Sequence, residues 1–264
     1  MSGQGIPGVS GEVAGEEREL ALSLSDSRLK KVLAYPSGDS RFATMRAVEL
    51  RLLGVEKVIL AGRLEICGLR VIGKGTNSVT FLGLHPRYGL VLVKCLRLDS
   101  SRESLLREAL IMLRVNKLGL RPKLYCYSAS FIVREYIEGI EFGRWIEKAS
   151  SANLSLGLSK LLDKLYLLDK AGISHGELAR PGDHILVEKE AEPVIIDFES
   201  ASLSKRKRNL TQFLQYVLFS KRRVFESRLG VTIDPGRILP LLRKYKRHPS
   251  HSLVLSIKQE LGLV

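Results

Sequence analysis

Cysteine is scarce: Cys67, Cys95 and Cys126 are the whole complement, far apart and without a CxxC pair. That spacing supports neither a disulfide framework nor a zinc site, so the three read as reduced core fillers of a cytoplasmic chain. Long apolar runs are missing too. None approaches the roughly 20 residues needed to cross a bilayer, so no membrane role is expected. The opening MSGQGIPGVSGEVAGEERE lacks a basic stretch leading into an apolar one, which argues against a secretory signal there. Acid is in deficit: 28 Asp and Glu face 42 Lys and Arg, a formal charge of +14. Such a balance attracts polyanions, whether RNA, nucleotide phosphates or acidic protein surfaces, without naming one. Much of the excess sits in Lys205–Arg208, Lys221–Arg223 and Arg243–Arg247. These clusters are candidate contacts for RNA or a ribonucleoprotein, or simply a solvated basic face.

What is present is globular. Hydrophobic residues at 45% and charged ones at 27% suffice for a sizeable core. Residues 1–15, rich in Gly and small polar residues, read as a disordered tail. Residues 16–60 read as a small helical extension. It contains one helix over Glu16–Ala34 and a second, amphipathic one over Phe42–Leu53, whose apolar stripe is Phe42, Met45, Val48 and Leu52. Asp39 or Ser40 caps the second helix and Gly54 ends it. From Leu60 the texture turns to short β-rich runs around a Gly-containing turn, followed by GLVLVKCLRL. Ser101–Leu118 reads as a helix, RPKLYCYSASFIVREYIEG as two strands, and the chain beyond Gly139 as mainly helical. The class is α+β, with a small β part (61–138), a larger helical part (139–264) and a cleft between.

Several short stretches carry chemistry. GKGTNS (Gly73–Ser78) lies between strands, where glycines let backbone N–H groups approach phosphate oxygens. A P-loop parse of Gly68–Lys74 fails, because Gly75 stands where Ser or Thr is required and no helix follows. In VLVKCL, strand alternation puts Leu92, Lys94 and Leu96 on one face, and a lysine there either snorkels to solvent or is held by an anion. Glu108, mid-helix fourteen residues on, is the natural partner, with Glu103 as the alternative carboxylate. FIVREYIEG (Phe131–Gly139) is a strand running into a connector. Then come HGELARPGDHILV (His175–Val187) and VIIDFES (Val194–Ser200), where Asp197 stands at the exit of an aliphatic strand, a position suited to holding a metal.

The order of these parts resembles that of the protein kinases, from about Leu64 to the C-terminus. It is most similar to the compact atypical branch: the RIO type, the kinase of the KEOPS tRNA-modification complex and small archaeal predicted Ser/Thr kinases. The HG opening of the loop and the absence of an Ala-Pro-Glu segment after Asp197 are both typical there. The resemblance implies a two-lobed protein-kinase-like fold with a small antiparallel β N-lobe and a shortened helical C-lobe. It implies ATP and Mg²⁺ (or Mn²⁺) as cofactors. Gly73, Gly75 and Ser78 would cover the triphosphate, Lys94 would contact its phosphates under the hold of Glu108, and the backbone of Glu135 and Ile137 would bind adenine. Asp197 would hold the metal.

The loop departs from the family's H-G-D-L-x-x-x-N pattern twice. Glu177 replaces the catalytic Asp, adding a methylene and a rotor, and the metal-binding Asn becomes His184 or, alternatively, Asp183, the better ligand for a hard cation. Glu199 replaces the glycine of Asp-Phe-Gly, and Arg134 falls where an apolar gatekeeper is expected, turned to solvent or partly closing the adenine pocket. The leading expectation is an ATP-dependent protein Ser/Thr kinase, autophosphorylating, with an unidentified protein substrate. Alternatives are a nucleotide-binding pseudokinase or ATPase switch in an RNA-processing assembly, and a small-molecule kinase.

Overall fold

The computed structural model describes residues 20–203 and 208–263. The expected tail at 1–15 and residues 205–207 of the first basic cluster lie outside the described residues. The first described element corrects the helix expected over Glu16–Ala34: it is strand β1 (Leu20–Ser23), antiparallel to β2 (Lys57–Leu60) with Leu22 opposite Val58. Leu22, within the strand, and Leu24, just beyond it, are both buried. Among the described residues of that stretch, only Ser27–Leu29 (a 3₁₀ turn) and the single-turn α1 (Lys30–Leu33) have helical form.

The second expected helix is there, as α2 (Ser40–Leu52), with its ends as read. Asp39 caps it, its carboxylate accepting from the N–H groups of Arg41 at 2.8 Å and Phe42 at 3.2 Å. Gly54 follows it with a φ of +85°, and a Cβ there would meet His85 Nε2 at 2.4 Å. The orientation is the surprise. Phe42, Met45, Val48 and Leu52 are exposed, and the buried face is Ala43, Arg46 and Leu50. Arg46 supplies the reason: its Nη1 donates to the carbonyl of Leu33 at 2.6 Å, anchoring the polar side of the helix inward.

After the hairpin of β3 (Leu64–Ile66) and β4 (Leu69–Val71) come β5 (Gly73–Lys74), β6 (Ser78–His85) and β7 (Gly89–Leu96). Helix α3 (Leu106–Lys117) separates them from β8 (Leu124–Tyr127) and β9 (Phe131–Glu135). The main sheet runs β1-β2-β6-β7-β9-β8, antiparallel at every pairing, with β5 also on β6. The described part of the extension expected at 16–60, residues 20–60, is therefore not a separate helical unit, because β1 and β2 extend this sheet. Helix α3 starts five residues later than expected: the hydroxyls of Ser100 and Ser101 are drawn to Asn77 Oδ1, at 3.1 and 3.2 Å, which holds that stretch out of the helix.

The remainder is mainly helical. Short β10 (Ile140–Glu141) leads to α4 (Phe142–Lys148) and the long α5 (Ser151–Lys170). Then β11 (Ile173–Ser174), β12 (Ile185–Glu188), β13 (Glu192–Ile195) and β14 (Ser202–Leu203) form two small antiparallel sheets with β10. Helices α6 (Asn209–Gln215), α7 (Arg222–Leu229), α8 (Pro235–Arg247) and α9 (His251–Glu260) follow, with a π-helical turn at Tyr216–Ser220. The protein is thus α+β with antiparallel sheets, and its described residues form two hydrophobic cores. One, from Leu22 to Val133, includes Phe81 and Phe131; the other, from Leu96 to Leu263, includes Phe142, Phe213 and Phe225. Cysteine placement is mixed: Cys95 is buried, but Cys67, expected in a core, is exposed at the β3–β4 turn. Among the described residues no helix is long and apolar enough to cross a membrane.

Candidate active site

A cleft of about 620 Å³ is lined both by the main sheet and by the β12–β13 region. Strand β7 presents Leu92 and Lys94 to it, while Val91, Val93 and Cys95 enter the core on the other face. Lys94 does not snorkel. It is buried, and its Nζ lies 2.8 and 3.0 Å from the two carboxylate oxygens of Glu108, 2.9 Å from Asp197 Oδ1 and 3.1 Å from Glu199 Oε2. Burial alone would lower the lysine's pKa, yet the carboxylates, Glu108 foremost, hold it above its ordinary value. Glu108 is pushed the other way from a typical paired acid: its own burial raises its pKa, and Lys94 only partly offsets that. Glu103, the alternative partner, is exposed and precedes α3.

Asp197 reaches this position through an unusual backbone, with φ +63° and ψ 74°, in the left-handed region. For a residue with a Cβ that costs on the order of 1 kcal/mol, sustained here by the ion pair with Lys94. Lys94 nearby, opposing the effect of burial, keeps the Asp197 carboxyl below its usual range, so it is ionised at neutral pH. The carboxylates of Glu108, Asp197 and Glu199 each offer an oxygen within 4.8 Å of the others. An all-oxygen donor set of this kind fits a hard divalent cation such as Mg²⁺ or Mn²⁺.

The glycine-rich turn closes over the same cleft. Gly73, Gly75 and Ser78 line it, and the turn is tied down at both ends. The N–H of Gly75 donates to the Ser78 carbonyl at 2.9 Å, and Arg97 Nη1 donates to the Gly75 carbonyl at 2.8 Å. Within the turn, Asn77 Nδ2 donates to Glu199 Oε1 at 2.5 Å. Arg102 reinforces the link, with Nε 3.3 Å from Glu199 Oε1 and Nη1 donating to the Glu199 carbonyl at 2.8 Å. Glu199 therefore latches the glycine turn to Lys94. Sequence reading treated it as a lost glycine and passed over Asn77 and Arg102. The available signal was the excess charge of Glu199 beside Asp197, which is unspecific without the fold.

The His175 loop is organised from below. The N–H of His175 donates to Asn209 Oδ1 at 2.8 Å, and its Nε2–H donates to the Ile196 carbonyl at 2.9 Å. Burial pushes its pKa down to about 4, so the ring is neutral at pH 7. Gly176, with φ +98°, passes so close to Ser200 that a Cβ would meet its carbonyl oxygen at 3.0 Å. Asn209 is held in turn by Asp169, whose Oδ1 accepts from its N–H at 2.7 Å and its Nδ2 at 2.9 Å. Asp169 Oδ2 takes the Tyr245 hydroxyl at 3.0 Å and the Leu210 N–H at 3.2 Å. Arg208 and Tyr245, both inside stretches read as basic surface clusters, are buried in this network, and Arg208 Nη1 donates to the Asp169 carbonyl at 3.1 Å. Those two residues are thereby withdrawn from any RNA surface, while Arg243, Lys244, Lys246 and Arg247 are exposed.

Placement of the remaining expected residues is uneven. Asp183 and His184 both line the cleft, and His184 Nδ1 lies 3.9 Å from Asp197 Oδ2. Ile137 lines it as well, but the side chain of Glu135 turns to Arg121, at 2.6 Å. Glu177 is exposed and is not among the residues that line the cleft. Arg134 does not turn to solvent: half-buried, it lines the cleft, and its Nη1 donates to the Glu135 carbonyl at 2.9 Å. No protein-family model matches this chain, and no curated protein matches it either.

Proposed function

We propose that the chain is a nucleoside-triphosphate-dependent protein Ser/Thr kinase of the small atypical type, with the two-lobed architecture of that group. One observation carries the reading: a buried lysine holds a helical glutamate and a strand-exit aspartate within 3.0 Å, although Asp197 lies 103 residues away in sequence. A purely structural ion cluster has no need of a glycine-rich turn latched over it or of an open cleft alongside. Phosphoryl transfer needs both, because it depends on positioning and charge stabilisation. Lys94 would bind phosphate oxygens, and Gly73, Gly75 and Ser78 would cover them. Asp197, with Glu199 or Asp183 beside it, would hold the divalent cation, which supplies neutralisation of phosphate charge. In the transfer, the acceptor hydroxyl oxygen bonds to the γ-phosphorus and the bond from that phosphorus to the bridging oxygen breaks. The electron pair leaves with the diphosphate, and the hydroxyl proton would go to Glu177, which stands outside the cleft lining and so requires an acceptor that spans from the cleft to it.

The test is incubation with γ-labelled nucleotide and Mg²⁺ or Mn²⁺, following label on protein and release of diphosphate. Label on the wild type, lost in Lys94→Ala and Asp197→Ala, is the expected result; equal label in all three defeats the assignment. The exposure of Glu177 favours a second reading, a nucleotide-binding switch without transfer, whose basic α8 meets RNA. Triphosphate binding without label, together with RNA affinity that falls steeply with salt, would select it.

A further inference from the structure

The wall of the cleft next to Lys94 is where a base would lie, and its polar groups are not arranged for adenine. Arg134 stands opposite Leu92 in the β7–β9 pairing, two residues along the strand from the register of Lys94, so its side chain emerges on the cleft face. Its Nη1–H is already donated to the carbonyl of Glu135, the acceptor that an adenine amino group would be expected to use. A guanidinium carries five N–H donors in a planar fork, and only one is committed there. Among the described residues no carboxylate forms an ion pair with it, so the cleft wall presents a cationic donor array where an apolar side chain was expected. Adenine and guanine differ at this edge. Adenine shows an amino donor beside N7, whereas guanine shows two acceptors, O6 and N7, which an arginine fork matches in a bidentate pair. An adenine amino group would face the guanidinium donor to donor and would compete with it for the Glu135 carbonyl.

Resting on the nucleotide-dependent reading above, we propose that this cleft selects guanine over adenine nucleotides, with Arg134 as the specificity-determining residue that reads O6 and N7. The energetic scale is set by the match: one good bidentate pair against the wrong base corresponds to roughly tenfold to a hundredfold in affinity. A guanidinium keeps its charge at neutral pH; burial lowers the pKa of Arg134, and the Glu108, Asp197 and Glu135 carboxylates oppose that.

Calorimetric titration of the full chain with the Mg²⁺ complexes of GTP, ITP and ATP tests this. GTP and ITP, which share O6 and N7, are expected to bind at least about tenfold tighter than ATP. Arg134→Met is expected to abolish that ratio and to tighten ATP. Should Arg134→Met fail to fold, 7-deaza-GTP on the wild type carries the test, because it lacks the N7 acceptor and is expected to bind several-fold more weakly than GTP. ATP binding as tightly as GTP, or 7-deaza-GTP binding as well as GTP, overturns the base selection and leaves the phosphotransfer reading standing. Binding of no triphosphate at all overturns both.

Discussion

Lys94 is one ammonium among three carboxylates, and its removal is the most informative change at the residue scale. Lys94→Met leaves Glu108, only 5% exposed, beside Asp197 and Glu199 with no lysine between them. Stripping one partner from a buried pair is expected to cost about 3–5 kcal/mol, read as a lower urea midpoint with an unchanged slope. The loss should shrink as pH falls towards the ordinary carboxyl range. Without the lysine the folded-state carboxyl pKa values rise above their unfolded ones, so the folded form takes up protons first and gains stability on acidification. A penalty that stays constant with pH would mean that the cluster is already neutralised by another route. At this scale the sequence was informative about Lys94, Glu108 and Asp197. It was silent about Glu199, Asn77 and Arg102, whose relevance exists only because the glycine turn folds down onto Glu199.

At the scale of elements, the junction of α5, α6 and the His175 loop hangs on Asp169. This carboxylate accepts the first two N–H groups of α6 and fixes Asn209, which fixes His175. Burial raises the Asp169 pKa to about 6, from an ordinary 3.8, so the folded state binds its proton more readily and gains stability as pH falls across that window. His175 acts oppositely: depressed to about 4 from 6.5, it contributes stability that is present above pH 6.5 and lost as pH falls towards 4. In the wild type the two terms partly cancel. Asp169→Asn removes the first and leaves the second, so the variant should lose melting temperature more steeply than wild type between pH 6.5 and 4. Parallel curves for the two proteins would show that Asp169 does not titrate in this window. Helix α2 gives another lesson about elements. Its caps were readable because Asp39 and Gly54 act locally, whereas its buried face was misread because Arg46 found the Leu33 carbonyl, a partner thirteen residues away.

At the scale of the whole molecule, one cleft is lined both by the main sheet and by the β12–β13 region, so a ligand bound there touches both. A triphosphate at 100 times its dissociation constant should therefore add about 2.7 kcal/mol to stability. Scanning fluorimetry should show this as a raised melting temperature in the wild type and little change in Asp197→Ala; a rise of equal size in both would place the ligand elsewhere. By itself the sequence determined the α+β class, the existence of β6, β7, β9 and α5, the caps of α2, and the residues able to carry charge in the cleft. These depend on period, turn chemistry and residue type, all of which act over a few neighbours. Only the tertiary structure decided that Leu20–Ser23 is a strand, that Arg208 and Tyr245 leave the basic surface for the Asp169 network, and that Glu199 and Arg134 face the cleft. Each of those outcomes depends on a partner distant in sequence: a strand edge that needs pairing, a buried carboxylate that needs donors, or a lysine and a carbonyl that need neighbours. The energy that settles them is absent until the chain has closed on itself.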